Sequence, residues 1–189
     1  MSDLTDIDRN FLLVLARTTI EAKLRSQDPV DKSEEISSPL QEKRGCFVTL
    51  HKRGVLRGCI GTIEPHKSLL KGVEENAINA AFGDPRFPPM TEDELEDIEV
   101  EVSVLTMPRV LEYKDADDLK AKLRPGVHGV ILSRGWQRST FLPQVWEQLP
   151  NVEDFLGHLC NKAGMERRCW TDTNTVVSVY EAEYFSEKR

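Results

Sequence analysis

The chain has 189 residues, 39% of them hydrophobic and 30% charged, with a formal net charge of -7 at pH 7. This is the size and composition of one globular domain, able to bury roughly 70% of the surface its unfolded form exposes. No apolar run is long enough to suggest a membrane span, and the acidity disfavours loose binding to nucleic acid or anionic membrane.

The amino end is acidic and lacks the apolar stretch of an export signal, so the cytoplasm is the expected compartment. Cys46, Cys59, Cys160 and Cys169 include no Cys-x-x-Cys pair. A structural zinc site is not expected, and reduced thiols that pack as small apolar residues are.

Apolar residues at Leu4, Ile7, Phe11, Val14, Leu15 and Ala22, with Thr18, predict an amphipathic helix over Leu4–Leu24. Thr5 and Asp8 make a weak capping box, and Asp3, Asp6 and Asp8 suit the positive helix end. Residues 26–44, with two prolines and many charges, read as a surface connection that Val30, Ile36 and Leu40 tack to the body.

Residues 45–65 read as a β-hairpin turned at Lys52-Arg53-Gly54. Regular alternation places Arg57, Cys59 and Gly61 on one face of the second arm and Leu56, Gly58 and Ile60 on the other. A guanidinium two residues from a thiol favours thiolate, which makes Cys59 the first candidate for chemistry. Gly58 and Gly61 suggest a bulge or close approach by a ligand or another backbone.

A helix is expected from Pro65 to Phe82, its amino end able to hold an anion or simply served by Glu64. Gly83-Asp-Pro-Arg-Phe-Pro-Pro-Met90 is stiff. Arg86 is either presented there to a carboxylate or phosphate, or paired with Asp84 or a nearby Glu while Phe87 plugs the core.

Asp97–Thr106 alternates, with Ile98, Val100, Val102 and Val104 core-facing. Glu101 is a candidate proton acceptor near the thiol or a partner for Arg57, against the commoner fate of an exposed sheet face. A short helix over 116–123 leads to a second hairpin over 126–142, in which His128 reads as a surface turn residue. Helices over 143–149 and 152–163 follow, with Cys160 in the core, and an alternating strand over 175–185 brings Val177, Val179 and Tyr184 to the sheet.

Together these elements give one α+β unit over residues 1–189, with an antiparallel or mixed sheet flanked by helices. No Walker loop, Gly-x-Gly-x-x-Gly, Gly-x-Ser-x-Gly or His-Glu-x-x-His occurs, so neither cofactor nor metal is expected. Lys52, Arg53, Arg57, Arg134, Arg138, Arg167 and Arg168 could form a basic patch, but a salt-bridged rim is the simpler reading.

Leu56-Arg-Gly-Cys-Ile-Gly61, Asp84-Pro-Arg-Phe-Pro-Pro89, Ile98–Leu105 and Thr140-Phe-Leu-Pro-Gln-Val-Trp146, in that order, resemble the AMMECR-type domain family over residues 5–185. The resemblance implies a fold with a larger and a smaller lobe and points to Arg57, Gly58, Cys59, Gly61, Arg86, Gln144 and Trp146. It implies no established activity. Bacterial and archaeal members are similar to the A component of the AmmeMemoRadiSam system, whose other parts are a Memo-like protein and a radical S-adenosylmethionine enzyme.

Two readings follow. One is a cytoplasmic binding or adaptor domain that shows the Arg57 face and the proline loop to a partner, protein or nucleic acid. The other is an enzyme or enzyme subunit with Cys59 as nucleophile, Arg57 as its activator, Glu101 as proton acceptor and Arg86 as anion clamp.

Overall fold

The computed structural model describes residues 4–27 and 36–187, so Asp3, Val30 and the middle of the 26–44 connection lie outside the described residues. In chain order the elements are α1 (Asp6–Leu24), α2 (Ser38–Gln41), β1 (Cys46–Lys52), β2 (Val55–Thr62), α3 (Leu69–Phe82), β3 (Ile98–Leu105), β4 (Arg109–Val110), α4 (Ala116–Lys122), β5 (His128–Arg134), β6 (Gln137–Phe141), α5 (Val152–Lys162) and β7 (Val176–Ser186). Short 3-10 segments precede β3, at Glu92–Asp97, and follow β6, at Pro143–Glu147. The fold is α+β with antiparallel pairing, and it divides into two compact units, Met1–Leu105 with Glu183–Arg189 and Thr106–Ala182.

In the first unit the strand order is β2-β1-β3, and the end of β7 joins β3 through the Glu187 N–H, which donates to the Val100 carbonyl at 3.1 Å. Ile98, Val100, Val102 and Val104 alternate into the core as the pattern requires, and α1 and α3 cover that face. Thr5 and Asp8 form a full capping box, the Asp8 N–H reaching Thr5 Oγ1 at 3.2 Å and the Thr5 N–H reaching Asp8 Oδ2 at 2.8 Å.

Of the expected face, Leu4, just before α1, and Leu15 and Ala22 are buried, with Phe11 packed against the core, but Ile7 and Val14 are not. Leu12, Ala16 and Ile20 join Leu15 and Ala22 in the core, whereas Ile7 and Val14 are 82% and 50% exposed. Apolar residues occur on more than one stripe of this helix, so spacing alone does not choose the stripe that meets the sheet.

α3 starts at Leu69, four residues later than Pro65 suggests. The Leu69 N–H donates to the Glu42 carbonyl at 2.8 Å, and Glu64 pairs with His66 at 2.8 Å instead of capping the helix. One amino-end donor of α3 is thus taken by main chain.

The second unit orders its strands β4-β7-β5-β6. Its core gathers Val130, Leu132, Leu156, Leu159 and Val177 around Trp146, which stacks on Phe155 with ring centroids 3.6 Å apart. Three expectations are corrected here. His128 is not a surface turn residue but a buried residue opening β5. Cys160 is in the core, yet it is joined to Cys169 in a disulfide, so these two thiols are not reduced; the pairing is spatial and leaves no mark in the spacing. Residues 143–149 form 3-10 helix only over Pro143–Glu147.

In β7, Val177 and Val179 are buried as expected, but Tyr184 points outward and Tyr180 is the buried tyrosine. Among the described residues, no helix is long and apolar enough to cross a membrane, and no three His, Cys, Asp or Glu side chains cluster as metal ligands.

Candidate functional site: a proline loop bolted to the edge of a hairpin

The hairpin forms as the sequence predicts, with Arg53 and Gly54 both at positive φ in its turn. Its second arm is irregular. Gly58 pairs with Leu50 and Leu56 with His51, so Arg57 is an extra residue opposite the Leu50/His51 step. Strict alternation from Leu56 to Gly61 therefore fails at Arg57. Leu56 pairs on the His51 row, and the shared face expected for Arg57 and Cys59 is lost as an argument.

The Arg57 guanidinium is instead buried against Glu94: Nε donates to Oε1 at 3.0 Å and Nη2 to Oε2 at 2.9 Å. Nη2 also donates to the Pro88 carbonyl at 3.0 Å. Glu94 takes a further bond from Lys52 at 2.9 Å and one from the Thr91 N–H at 3.1 Å. The Arg57 hydrogen bond, followed by those of Lys52 and Thr91, outweighs burial and holds the Glu94 carboxyl down at about 2.

Asp84 is the second anchor, with a side chain only 2% exposed. It accepts the Cys59 N–H at 2.9 Å and a two-pronged hold from Arg86, Nε to Oδ1 at 2.9 Å and Nη2 to Oδ2 at 2.7 Å. Arg86 Nη2 also donates to the Cys59 carbonyl at 3.3 Å. β2 is the edge strand of its sheet, so Asp84 and Arg86 satisfy the donor and the acceptor that Cys59 turns away from β1. Arg86 and the buried main-chain donors hold the Asp84 carboxyl well below the usual carboxylate range.

The Phe87 ring centre is 5.9 Å from the Arg57 guanidinium and 5.5 Å from that of Arg86. Of the two readings open for Arg86, the pairing with Asp84 is the one the structure forms.

Cys59 itself is half-buried, and its sulfur accepts the Thr49 hydroxyl at 3.3 Å. Thr49 pairs with Cys59 on one side and with Glu101 on the other. Glu101 is thus two strands from Cys59, about 10 Å at ordinary strand spacing. Thr49, not Glu101, is the polar neighbour of the thiol. Burial pushes the Glu101 carboxyl up, opposed by nearby His51.

Gly58 has a packing reason, since a Cβ there would sit 2.1 Å from the Ala80 carbonyl oxygen of α3. At Gly61 a Cβ would meet the Phe47 ring at 2.2 Å and the Cys46 carbonyl oxygen at 2.4 Å. The close approach that these glycines announce is made by the protein's own backbone and by the half-buried Phe47 ring.

Gln144 and Trp146 belong to the second unit. Gln144 is exposed, whereas Trp146 is a core residue whose Nε1 donates to the His128 carbonyl at 2.7 Å, leaving it no polar atom to present. The candidate basic patch is largely internally paired: Arg53 with Asp97, Arg134 with Asp172 and Arg167 with Asp154. Sequence reasoning missed Glu94 and Thr49. The Thr91-x-x-Glu94 capping spacing was a faint pointer to the first, and cross-strand register, invisible without pairing, is needed for the second.

The comparisons with known proteins agree on the family. The AMMECR1 family model matches residues 13–185. A protein of Methanothermobacter thermautotrophicus is 45% identical over 177 residues, covering 93% of this chain and 92% of that one. A Methanosarcina barkeri protein is 41% identical over 190 residues, covering 98% and 93%. The crystal structure of an uncharacterized protein from Pyrococcus horikoshii superposes with a TM-score of 0.84 at 37% identity, covering 98% of this chain and 94% of its own. A buried Arg57, a Cys59 held through its main chain and a proline loop locked by Asp84 are thus the local architecture of the Leu56–Gly61 block in a chain that belongs to the AMMECR1 family.

Proposed function

We propose that this chain is a binding or adaptor protein that shows the Asp84–Pro89 loop to a protein partner. One observation carries the reading. The loop is anchored at buried Asp84 and by the Arg57 bond to the Pro88 carbonyl, while Pro85, Arg86, Pro88 and Pro89 stay exposed. A loop ordered in advance loses little freedom on binding, which suits recognition.

The same contacts weigh against Arg57 as activator of a nucleophile, since its charge is already matched by Glu94. Among partners, the Memo-like protein and the radical S-adenosylmethionine enzyme implied by the family resemblance are the ones to try first. Nucleic acid is disfavoured by the net charge of -7 and the paired arginines.

Titration calorimetry of the purified chain against each of these two proteins tests the proposal. Pro88→Ala combined with Pro89→Ala should weaken binding about tenfold or more, with the fold unchanged by circular dichroism. Equal affinity for wild type and variant would remove the loop from the interface.

A second reading keeps Cys59 as a nucleophile. It is favoured by the half-buried sulfur, its Thr49 hydroxyl donor and the charge of Arg86 nearby. Iodoacetamide labelling against pH tests it. Burial pushes the Cys46 thiol up to about 11, so Cys59 should be the thiol that labels in the native chain. A half-maximum well below the ordinary cysteine value near 8.5 supports catalysis; an inert thiol, or full cellular activity of Cys59→Ala, ends that reading.

A further inference from the structure

From Pro85 to Met90 the main chain has no N–H left to give. Pro85, Pro88 and Pro89 carry none. Those of Arg86, Phe87 and Met90 are taken, the first by Asp84 Oδ1 at 3.1 Å, the second by the Asp84 carbonyl at 3.1 Å and the third by the Ala81 carbonyl at 2.9 Å. On the acceptor side, Arg57 holds the Pro88 carbonyl, while the carbonyls of Arg86, Phe87 and Pro89 accept no hydrogen bond among the described residues. The stretch is thus a surface that accepts hydrogen bonds and does not donate them from its main chain.

Its charges are matched as well. Asp84 is buried and held by Arg86, and Glu94 is held by Arg57 and Lys52.

These facts decide what can sit on the loop. An added strand needs donors and acceptors in turn, and the donors are missing. A phosphate or carboxylate finds no main-chain N–H and meets an arginine already in a two-pronged bond with Asp84. A basic segment finds no open carboxylate. What the loop does offer is three exposed pyrrolidine rings, at Pro85, Pro88 and Pro89, the half-exposed guanidinium of Arg86, and carbonyl oxygens.

Building on the adaptor reading, we propose that the partner of this loop is an aromatic-lined groove whose tryptophan N–H or tyrosine O–H groups donate to the loop carbonyls. Aromatic faces stack on the pyrrolidine rings and on the guanidinium, and the polar tips of the same side chains supply the donors that the loop lacks. Grooves of this chemistry read proline-rich segments in general. Here the segment is ordered beforehand by Asp84 at one end and by the Arg57 bond to the Pro88 carbonyl at the other, so docking costs little chain entropy.

The test uses the full chain and indole, the ring of tryptophan with its N–H, followed by NMR. Indole at up to about 20 mM should shift the Phe87 and Met90 amide signals in a saturable way. 1-Methylindole keeps the ring without the donor and should bind about threefold more weakly or worse. Pro88→Ala combined with Pro89→Ala removes rings and adds N–H groups; it should reduce the indole shifts at Phe87 and Met90 by about threefold or more, with β3 amide signals unmoved to show that the fold persists. No saturable shift at the loop, equal binding of the two indoles, or equal shifts in wild type and variant would overturn the proposal. Calorimetry on the protein partners reads whether the loop is an interface at all. A proline-dependent affinity there, with a loop silent to indole, overturns the aromatic groove alone and leaves the interface standing.

Discussion

Glu94 meets two cations and a main-chain amide from a nearly dry position, and its carboxyl is held down at about 2, chiefly by Arg57. A carboxylate depressed on folding contributes stability above its unfolded value near 4.3 and loses that contribution as pH falls toward the folded value. Acid sensitivity of the first unit should therefore set in below about pH 4.5, and Glu94 alone should account for about 3 kcal/mol of loss on approaching pH 2. Glu94→Gln should flatten this dependence and weaken the fold at pH 7 by about 2–4 kcal/mol, since it leaves Arg57 buried beside a neutral partner. Urea unfolding at several pH values, read by exchange of β3 amides, measures both; an unchanged acid limb in the variant would reassign the sensitivity to other carboxylates. At this scale the sequence offers Asp84 as a partner for Arg86, but not Glu94 for Arg57 or Thr49 for Cys59. Two-residue spacing makes Arg57 a thiol activator only under regular alternation, and one extra residue in β2 breaks that alternation.

Among elements, the contact of β2 with α3 depends on Gly58. Its missing Cβ leaves room for the Ala80 carbonyl, and backbone on both sides prevents easy relief. Gly58→Ala should destabilise by about 2–3 kcal/mol, measured by urea denaturation, far more than the few tenths expected of an exposed glycine site. β3 was read correctly because its pattern has period two and one buried face, conditions under which sequence and burial coincide. At α1 the spacing locates Leu4, Leu15 and Ala22 in the core but not the exposure of Ile7 and Val14, which are as apolar as the residues the core selects. Pro65 is compatible with a helix start, but the bond that marks the start of α3 runs from the Leu69 N–H to the distant Glu42 carbonyl. At His128, likewise, flanking glycines suggest a turn, but pairing with Glu181 makes it strand.

On the scale of the molecule, all three tryptophans, Trp136, Trp146 and Trp170, fall in the second unit, as does the Cys160–Cys169 disulfide. Tryptophan fluorescence therefore reports on that unit. Reductant should lower the stability of that unit by about 2–3 kcal/mol, the scale of a short closed loop, while exchange of β3 amides stays unchanged. A fluorescence transition indifferent to reductant would mean that the bridge adds nothing to stability. The mix of helices and antiparallel strands is visible in the sequence; two lobes are implied by the family resemblance alone, and no residue pattern marks the boundaries, where the chain leaves the first unit at Leu105 and returns to it at Glu183. In connectivity, then, the second unit is a guest carried between two antiparallel neighbours of its host, β3 and the end of β7. Excising 106–182 and closing the gap with a tight Asn-Gly turn converts that pair into an ordinary hairpin. The thiol and the proline loop would then sit on a tryptophan-free miniature.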